Sequence, residues 1–269
     1  MIIEWNTHLF SRDTSCYPFH PQARYVPPEE NRSDDPLADY LRRMEAEGID
    51  RAVVVHPEPY GDDHRLILEV LAKEPERLRG TCLFLPEDPD APRKIEALVA
   101  KQPLVVATRF HALRGMQKPY FEGFYDSNVR AMWETAARLE LIVELHIGPS
   151  FAAQAAALIE AHPSTTVLVD HLAEPLTGNP VEYADVLDLA RFDNVYMKLS
   201  GLNHFSNDAP LYLDARPFTR RVVDAFGPDR LVWGSGTPAI VDAHMEGYSE
   251  ADRAKVKGGN LARLLGFGG

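Results

Sequence analysis

Ile142-Val143-Glu144-Leu145-His146 is followed, one helix later, by Val167-Leu168-Val169-Asp170-His171. Each is a short apolar run that ends on a histidine. Each opens onto a loop carrying Gly or Pro, His146-Ile147-Gly148-Pro149 and His171-Leu172-Ala173-Glu174-Pro175. Runs of this length without polar alternation read as strands buried on both faces, as in parallel sheets. The C-terminal ends of such strands are where α/β folds assemble their chemistry. One such histidine is more often a hydrogen-bonded core residue; two at the same point of successive strand-helix units point to a site.

Outward from this pair the alternation continues in both directions. Met1 to Asn6 reads as a first strand followed by Thr7-His8, and residues 11–35, with four prolines and no periodicity, as a long loop. Pro36 opens a helix with Leu37, Tyr40, Leu41 and Met44 as its apolar stripe and Gly48 as its stop. Arg51 to His56, Thr81 to Leu85, Leu104 to Phe110, Asn194 to Leu199 and Arg230 to Ser235 complete eight strands, with helices between them and a last helix over Glu250 to Leu265. Eight strand-helix units in 269 residues predict a single-domain (β/α)8 TIM barrel over 1–269 rather than an open doubly wound sheet.

The composition is globular, with 45% hydrophobic and 25% charged residues, and the formal net charge of -12 argues against a nucleic-acid or anionic-membrane surface. Cys16 and Cys82 form neither a disulfide framework nor a zinc pattern, and no run reaches membrane-span length. A cytoplasmic protein acting on a small molecule is expected, with homo-oligomerisation left open.

In a barrel the strand ends converge on one rim. They collect His8, His56 with Tyr60 in its loop, Arg109 with His111, Glu144 with His146, Asp170 with His171, Lys198 and Ser235, and Arg114 follows strand four. Glu144 and Asp170 each precede a terminal histidine, so the pleat can turn them from the axis, and Lys198 can extend to solvent. Arg109 near a barrel axis needs an anion, either a substrate carboxylate or an acidic residue.

These residues sit in a succession of motifs: Tyr60-Gly61-Asp62-Asp63, Val169-Asp170-His171-Leu172, Val195-Tyr196-Met197-Lys198-Leu199-Ser200-Gly201, Arg230-Leu231-Val232-Trp233-Gly234-Ser235 and Gly258-Gly259-Asn260-Leu261-Ala262-Arg263-Leu264-Leu265-Gly266. In that order the chain resembles, over nearly its whole length, the amidohydrolase-related (amidohydrolase 2) family, above all its TIM-barrel lactonase branch. Two departures stand out. The family's first strand ends in His-x-His, where this chain has Asn6-Thr7-His8, and the Asp that follows Trp-Gly-Ser on its eighth strand is Gly236 here.

The resemblance implies a hydrolase of a small, anionic lactone without a tightly bound metal. His8, His146 and His171 would polarise the carbonyl, and Arg109 and Arg114 would hold the anionic group. His56, Tyr60, His111, Lys198 and Ser235 would line the substrate site, and His171, His56 or Glu144 would replace the missing water-activating Asp, with Asp170 beside them. The alternatives are a zinc enzyme (amidohydrolase or decarboxylase) holding its metal with His8, His146 and His171, and a non-catalytic ligand-binding barrel. Ser235 as nucleophile lacks the Gly-x-Ser-x-Gly elbow.

Overall fold

Eight parallel strands form one sheet in sequence order in the computed structural model, which describes residues 1–112 and 121–267. They are β1 Ile3–Thr7, β2 Arg51–Val54, β3 Leu78–Cys82, β4 Val105–Ala112, β5 Ile142–Ile147, β6 Val167–Val169, β7 Val195–Leu199 and β8 Leu231–Trp233. β8 returns beside β1, so the sheet is a nearly closed barrel with helices around it. This is the (β/α)8 fold expected from the strand-helix alternation.

Helix boundaries follow from local chemistry. α1, Pro36–Glu47, starts where the Asp35 side chain accepts from Ala38 N and proline occupies its first turn; it stops at Gly48, whose φ of 67° few other residues adopt cheaply. The third strand is the largest departure from expectation, lying three residues earlier than Thr81 to Leu85. Arg79 and Gly80 interrupt the apolar run, but Gly80 lies close against the preceding helix: a Cβ there would sit 2.7 Å from Leu71 Cδ1.

Two apolar layers enclose the strands. Val143, Leu145, Val169 and Met197 face outward into the packing with the helices, whereas Ile3, Trp5, Val53, Val55, Ala107, Ile142, Leu168, Tyr196 and Val232 fill the barrel. The inward residues form its floor, and above them toward the strand C-termini the lining becomes ionic. The chain then closes on itself: the helical segment that includes Lys255–Gly259 lies against β1 and β8.

That closure carries a test. A Cβ on Gly258 would lie 2.5 Å from Met1 O and 2.9 Å from Ile3 N, both backbone atoms, whereas one on Gly259 would meet its nearest neighbour at 3.5 Å. Gly258→Ala should therefore destabilise the protein by about 1–3 kcal/mol, the usual range for overpacking. Gly259→Ala in a helical conformation should be neutral or stabilising. Urea unfolding of both variants checks this, and equal effects would contradict the close approach.

Candidate active site

Pairing register determines what faces the axis. Arg109 is the Cα partner of Glu144 and His111 of His146 along β4 and β5. Side chains two apart in a strand share a face, so Glu144 points inward with His146 rather than away from it. Asp170 likewise shares the inward direction of Leu168. His171 reaches the mouth differently: the β6 ladder has ended, and His171, Leu172, Ala173 and Glu174 have φ of 49°, 55°, 58° and 47°.

Four consecutive non-glycine residues in the left-handed region are costly, roughly 1–2 kcal/mol each, and such strain concentrates at functional sites. The turn is held by Ala173 N donating to Asp170 O at 2.8 Å, Glu174 N to His171 O at 3.0 Å and Tyr183 Oη to Leu172 O at 2.8 Å. Gly201 makes room for it, since a Cβ there would lie 2.6 Å from His171 Cβ. The outcome is that His171 and Glu174 both reach the barrel mouth.

Beneath the mouth lies an ionic layer. Arg109 Nε and Nη2 donate to Asp170 Oδ2 at 3.0 and 2.7 Å, and Lys198 Nζ contacts Glu144 Oε1 at 2.6 Å and Asp170 Oδ1 at 2.5 Å. Trp5 Nε1 donates to Glu144 Oε1 at 2.8 Å. All four charged side chains are buried, with Lys198, Glu144 and Asp170 at 0%. Arg109 thus takes an acidic residue as its partner, and Lys198 does not extend to solvent. Burial pushes the pKa of both acids upward. For Asp170, Lys198 and Arg109 outweigh burial and hold it well below the usual carboxylate range. For Glu144, burial and the Asp170 charge prevail over those cations and push it up to about 7.

Imidazoles ring the mouth. The His146 and His111 ring centroids are 4.5 Å apart, His146 and His171 5.1 Å, and His171 and His204 5.1 Å. The Glu174 carboxylate ties two of them together: His146 Nε2 lies 2.8 Å from its Oε1, and His204 Nδ1 lies 2.9 and 3.0 Å from its two oxygens. His171 Nδ1 is 2.8 Å from Ser200 Oγ. Burial lowers the pKa of His111, His146 and His171, which keeps them neutral near pH 7. His204, 41% exposed, is raised by its hydrogen bond to Glu174. Although burial opposes ionisation of Glu174, hydrogen bonds from His146 and His204 hold it below the usual carboxylate range.

The remaining sequence candidates lie around this centre. His8 Nδ1 is bonded to Val55 O at 2.8 Å; burial, Arg109 and Lys198 lower its pKa to about 3. His8 lines a cleft of about 590 Å3 between the ends of β1 and β8, together with Asn6, Ser235 and Gly236. His56 Nε2 is held by Gly61 O at 2.8 Å and its ring stacks on His64, so it shapes the β2 loop. Tyr60 Oη accepts from Ser11 N at 2.9 Å, fastening the start of the 11–35 loop. Arg114 lies outside the described residues. A cleft of about 610 Å3 beside His20, Asp62 and Asp88 contains none of these candidates, and Lys94 pairs with both of its aspartates.

Glu174 and His204 were not singled out in the sequence. Both sit in aperiodic loops, where nothing distinguishes them from solvent-facing polar residues. The hint available was Glu174 between Ala173 and Pro175, directly after a histidine-ended strand.

Metal donors can be compared with this geometry. The donor group found among the described residues includes His146 and His171 and has Glu174 in it, not His8. Asn6 offers an amide oxygen 3.4 Å from Lys198 Nζ, and Gly236, at φ 81°, has no side chain and could gain one only against Ile240. Among the described residues, His146, His171 and Glu174 do bring one nitrogen or oxygen each within 4.8 Å of one another. Two imidazoles and a carboxylate are donors that zinc accepts.

Removing one member of a buried ion network leaves another charge uncompensated, at a cost of about 3–5 kcal/mol. Arg109→Met should lower the unfolding free energy by that amount, as read from urea denaturation followed by circular dichroism. An unchanged midpoint would mean that the guanidinium does not hold Asp170.

Comparison with known proteins agrees with this architecture. The chain is 29% identical to a 4-sulfomuconolactone hydrolase of Hydrogenophaga intermedia over 98% of its own length and 82% of that protein. It is 26% identical to an L-fucono-1,5-lactonase of Burkholderia ambifaria over 71% and 66% of the two chains. An amidohydrolase of Burkholderia multivorans, solved with bound zinc, superimposes with a TM-score of 0.72 at 20% identity, covering 99% of each chain. The amidohydrolase family model matches residues 7–267, and the chain belongs to that family.

Proposed function

We propose that the protein hydrolyses a small lactone at the histidine-ringed mouth. The observation that carries this reading is the Glu174 carboxylate joining His146 to His204 beside His171, in a chain similar to hydrolases of a sulfonated lactone and a sugar lactone. Ring opening requires a polarised carbonyl and an activated water. Neutral buried imidazoles can present N–H groups to a developing oxyanion. His171 is held at Nδ1 by Ser200, which leaves Nε2 for that role.

His204 is the better placed proton acceptor. Its Nδ1 is engaged by Glu174, leaving Nε2 to receive a proton from water, and the carboxylate behind it stabilises the imidazolium that results. Water oxygen bonds to the acyl carbon, the ring C–O bond breaks, and the departing alkoxide takes up the proton to give a hydroxy acid. Arg109 is engaged by Asp170, so an anionic substituent would need another cation, and Arg114 is the candidate among the sequence-predicted residues. Where a divalent metal is taken up, His146, His171 and Glu174 would hold it, and it would supply Lewis-acid polarisation of the carbonyl.

Turnover of a panel of neutral sugar lactones and carboxylated or sulfonated lactones tests the assignment. His146→Ala and His171→Ala should each lower kcat/KM by roughly 10²–10⁴-fold, the range for a positioned acid-base group, with circular dichroism unchanged. Full activity in both variants, or no turnover of any lactone, would contradict the proposal.

Chelation separates two forms of the mechanism. Activity that survives chelator treatment assigns carbonyl polarisation to imidazole, as the altered Asn6 and Gly236 positions lead one to expect. Activity that is lost and then restored by zinc assigns it to a metal on His146, His171 and Glu174, and Glu174→Gln should then lower zinc retention.

A further inference from the structure

The ammonium of Lys198 sits inside a cage of oxygen atoms. Glu144 Oε1 is 2.6 Å away, Asp170 Oδ1 2.5 Å and Asn6 Oδ1 3.4 Å, and the Trp5 ring centroid lies 5.6 Å from Nζ. The carboxylates come from β5 and from the residue that follows β6, and the amide from β1, so the cage is assembled across the barrel. One further oxygen, Glu144 Oε2, is fully buried and has no hydrogen-bond donor among the described residues; Arg109 Nε lies 3.7 Å from it. Arg109 does not take the lysine's place, because its Nε and Nη2 are directed to the opposite oxygen of Asp170.

Two carboxylates and an amide oxygen are a hard-cation donor set, of the kind that Mg2+ and Mn2+ prefer. The lysine shaft fills the approach to it. A Cβ at Gly234 would lie 2.6 Å from Lys198 Cγ and Cδ and 2.7 Å from Ser200 Cβ, so β8 carries glycine where the shaft passes. We infer that Lys198 is a tethered cation filling an intrinsic divalent-cation site inside the barrel, and that shortening its side chain uncovers that site. In the native protein the interior charge is balanced covalently, whatever the metal supply.

The experiment compares the wild type, Lys198→Ala and Lys198→Ala/Glu144→Gln. Bound Mn2+ is counted by electron paramagnetic resonance, and thermal midpoints are measured in chelator and in Mn2+. Lys198→Ala is expected to bind one Mn2+ more than the wild type, to melt lower than the wild type in chelator, and to regain part of the loss with Mn2+. The double variant, which has lost a carboxylate with the ammonium, should show neither the extra ion nor the recovery. Comparison with the wild type subtracts any Mn2+ taken up at the mouth. A folded Lys198→Ala with wild-type Mn2+ stoichiometry, or with a midpoint indifferent to Mn2+, would overturn the inference. If Lys198→Ala fails to fold in either condition, a folded double variant supports a counter-ion role and an unfolded one overturns it.

Discussion

The Arg109–Asp170 pair and its continuation through Lys198 to Glu144 tie the strands of the barrel together from within. Four ionised or ionisable groups, on β4, β5 and β7 and directly after β6, occupy the barrel interior, and all four are buried. A network of this kind adds little net stability compared with apolar packing, because desolvation offsets attraction, yet it is intolerant of losing a member. It therefore acts as a specification: strands β4, β5, β6 and β7 must keep the register that brings the two cations to the two acids.

The mouth inherits its geometry from that layer. Asp170 is the last inward residue of the sixth strand region, and the left-handed turn that follows begins from its carbonyl. Fixing Asp170 between Arg109 and Lys198 fixes where the turn starts, and the turn delivers Glu174 to His146 and His204. The strained backbone is thus supported from below by charge pairing and from the side by Tyr183 and Gly201. Polar groups held this way change little as charge develops during a reaction, which is what electrostatic stabilisation requires.

Much of this was legible in the sequence, and the limits have physical causes. Apolar runs marked β5, β6 and β7 because both faces are buried, and Arg109 announced a buried acidic or substrate partner because a guanidinium at an axis needs one. The third strand was displaced because Arg79 and Gly80 break the pattern that a strand packed closely on a helix does not need to keep. Glu144 was ambiguous until register showed that it shares the face of His146. The equivalence of His146 and His171 was only partial: one projects from a strand, the other from a left-handed turn that no propensity favours. That turn hid Glu174, and His204 reaches the site from an aperiodic loop. The departures at Asn6 and Gly236 were visible at once, and the structure adds that Asn6 faces Lys198 and that the backbone at Gly236 disfavours a side chain.

The proposed hydrolysis rests on Glu174 and His204 acting as one unit at the mouth. A double-mutant cycle on lactone turnover tests it most directly, with Glu174→Gln, His204→Gln and the pair compared at equal fold integrity. Groups acting jointly lose their effect together, so the double variant should be little slower than the slower single variant. Losses that multiply would contradict it and place the two residues in separate roles.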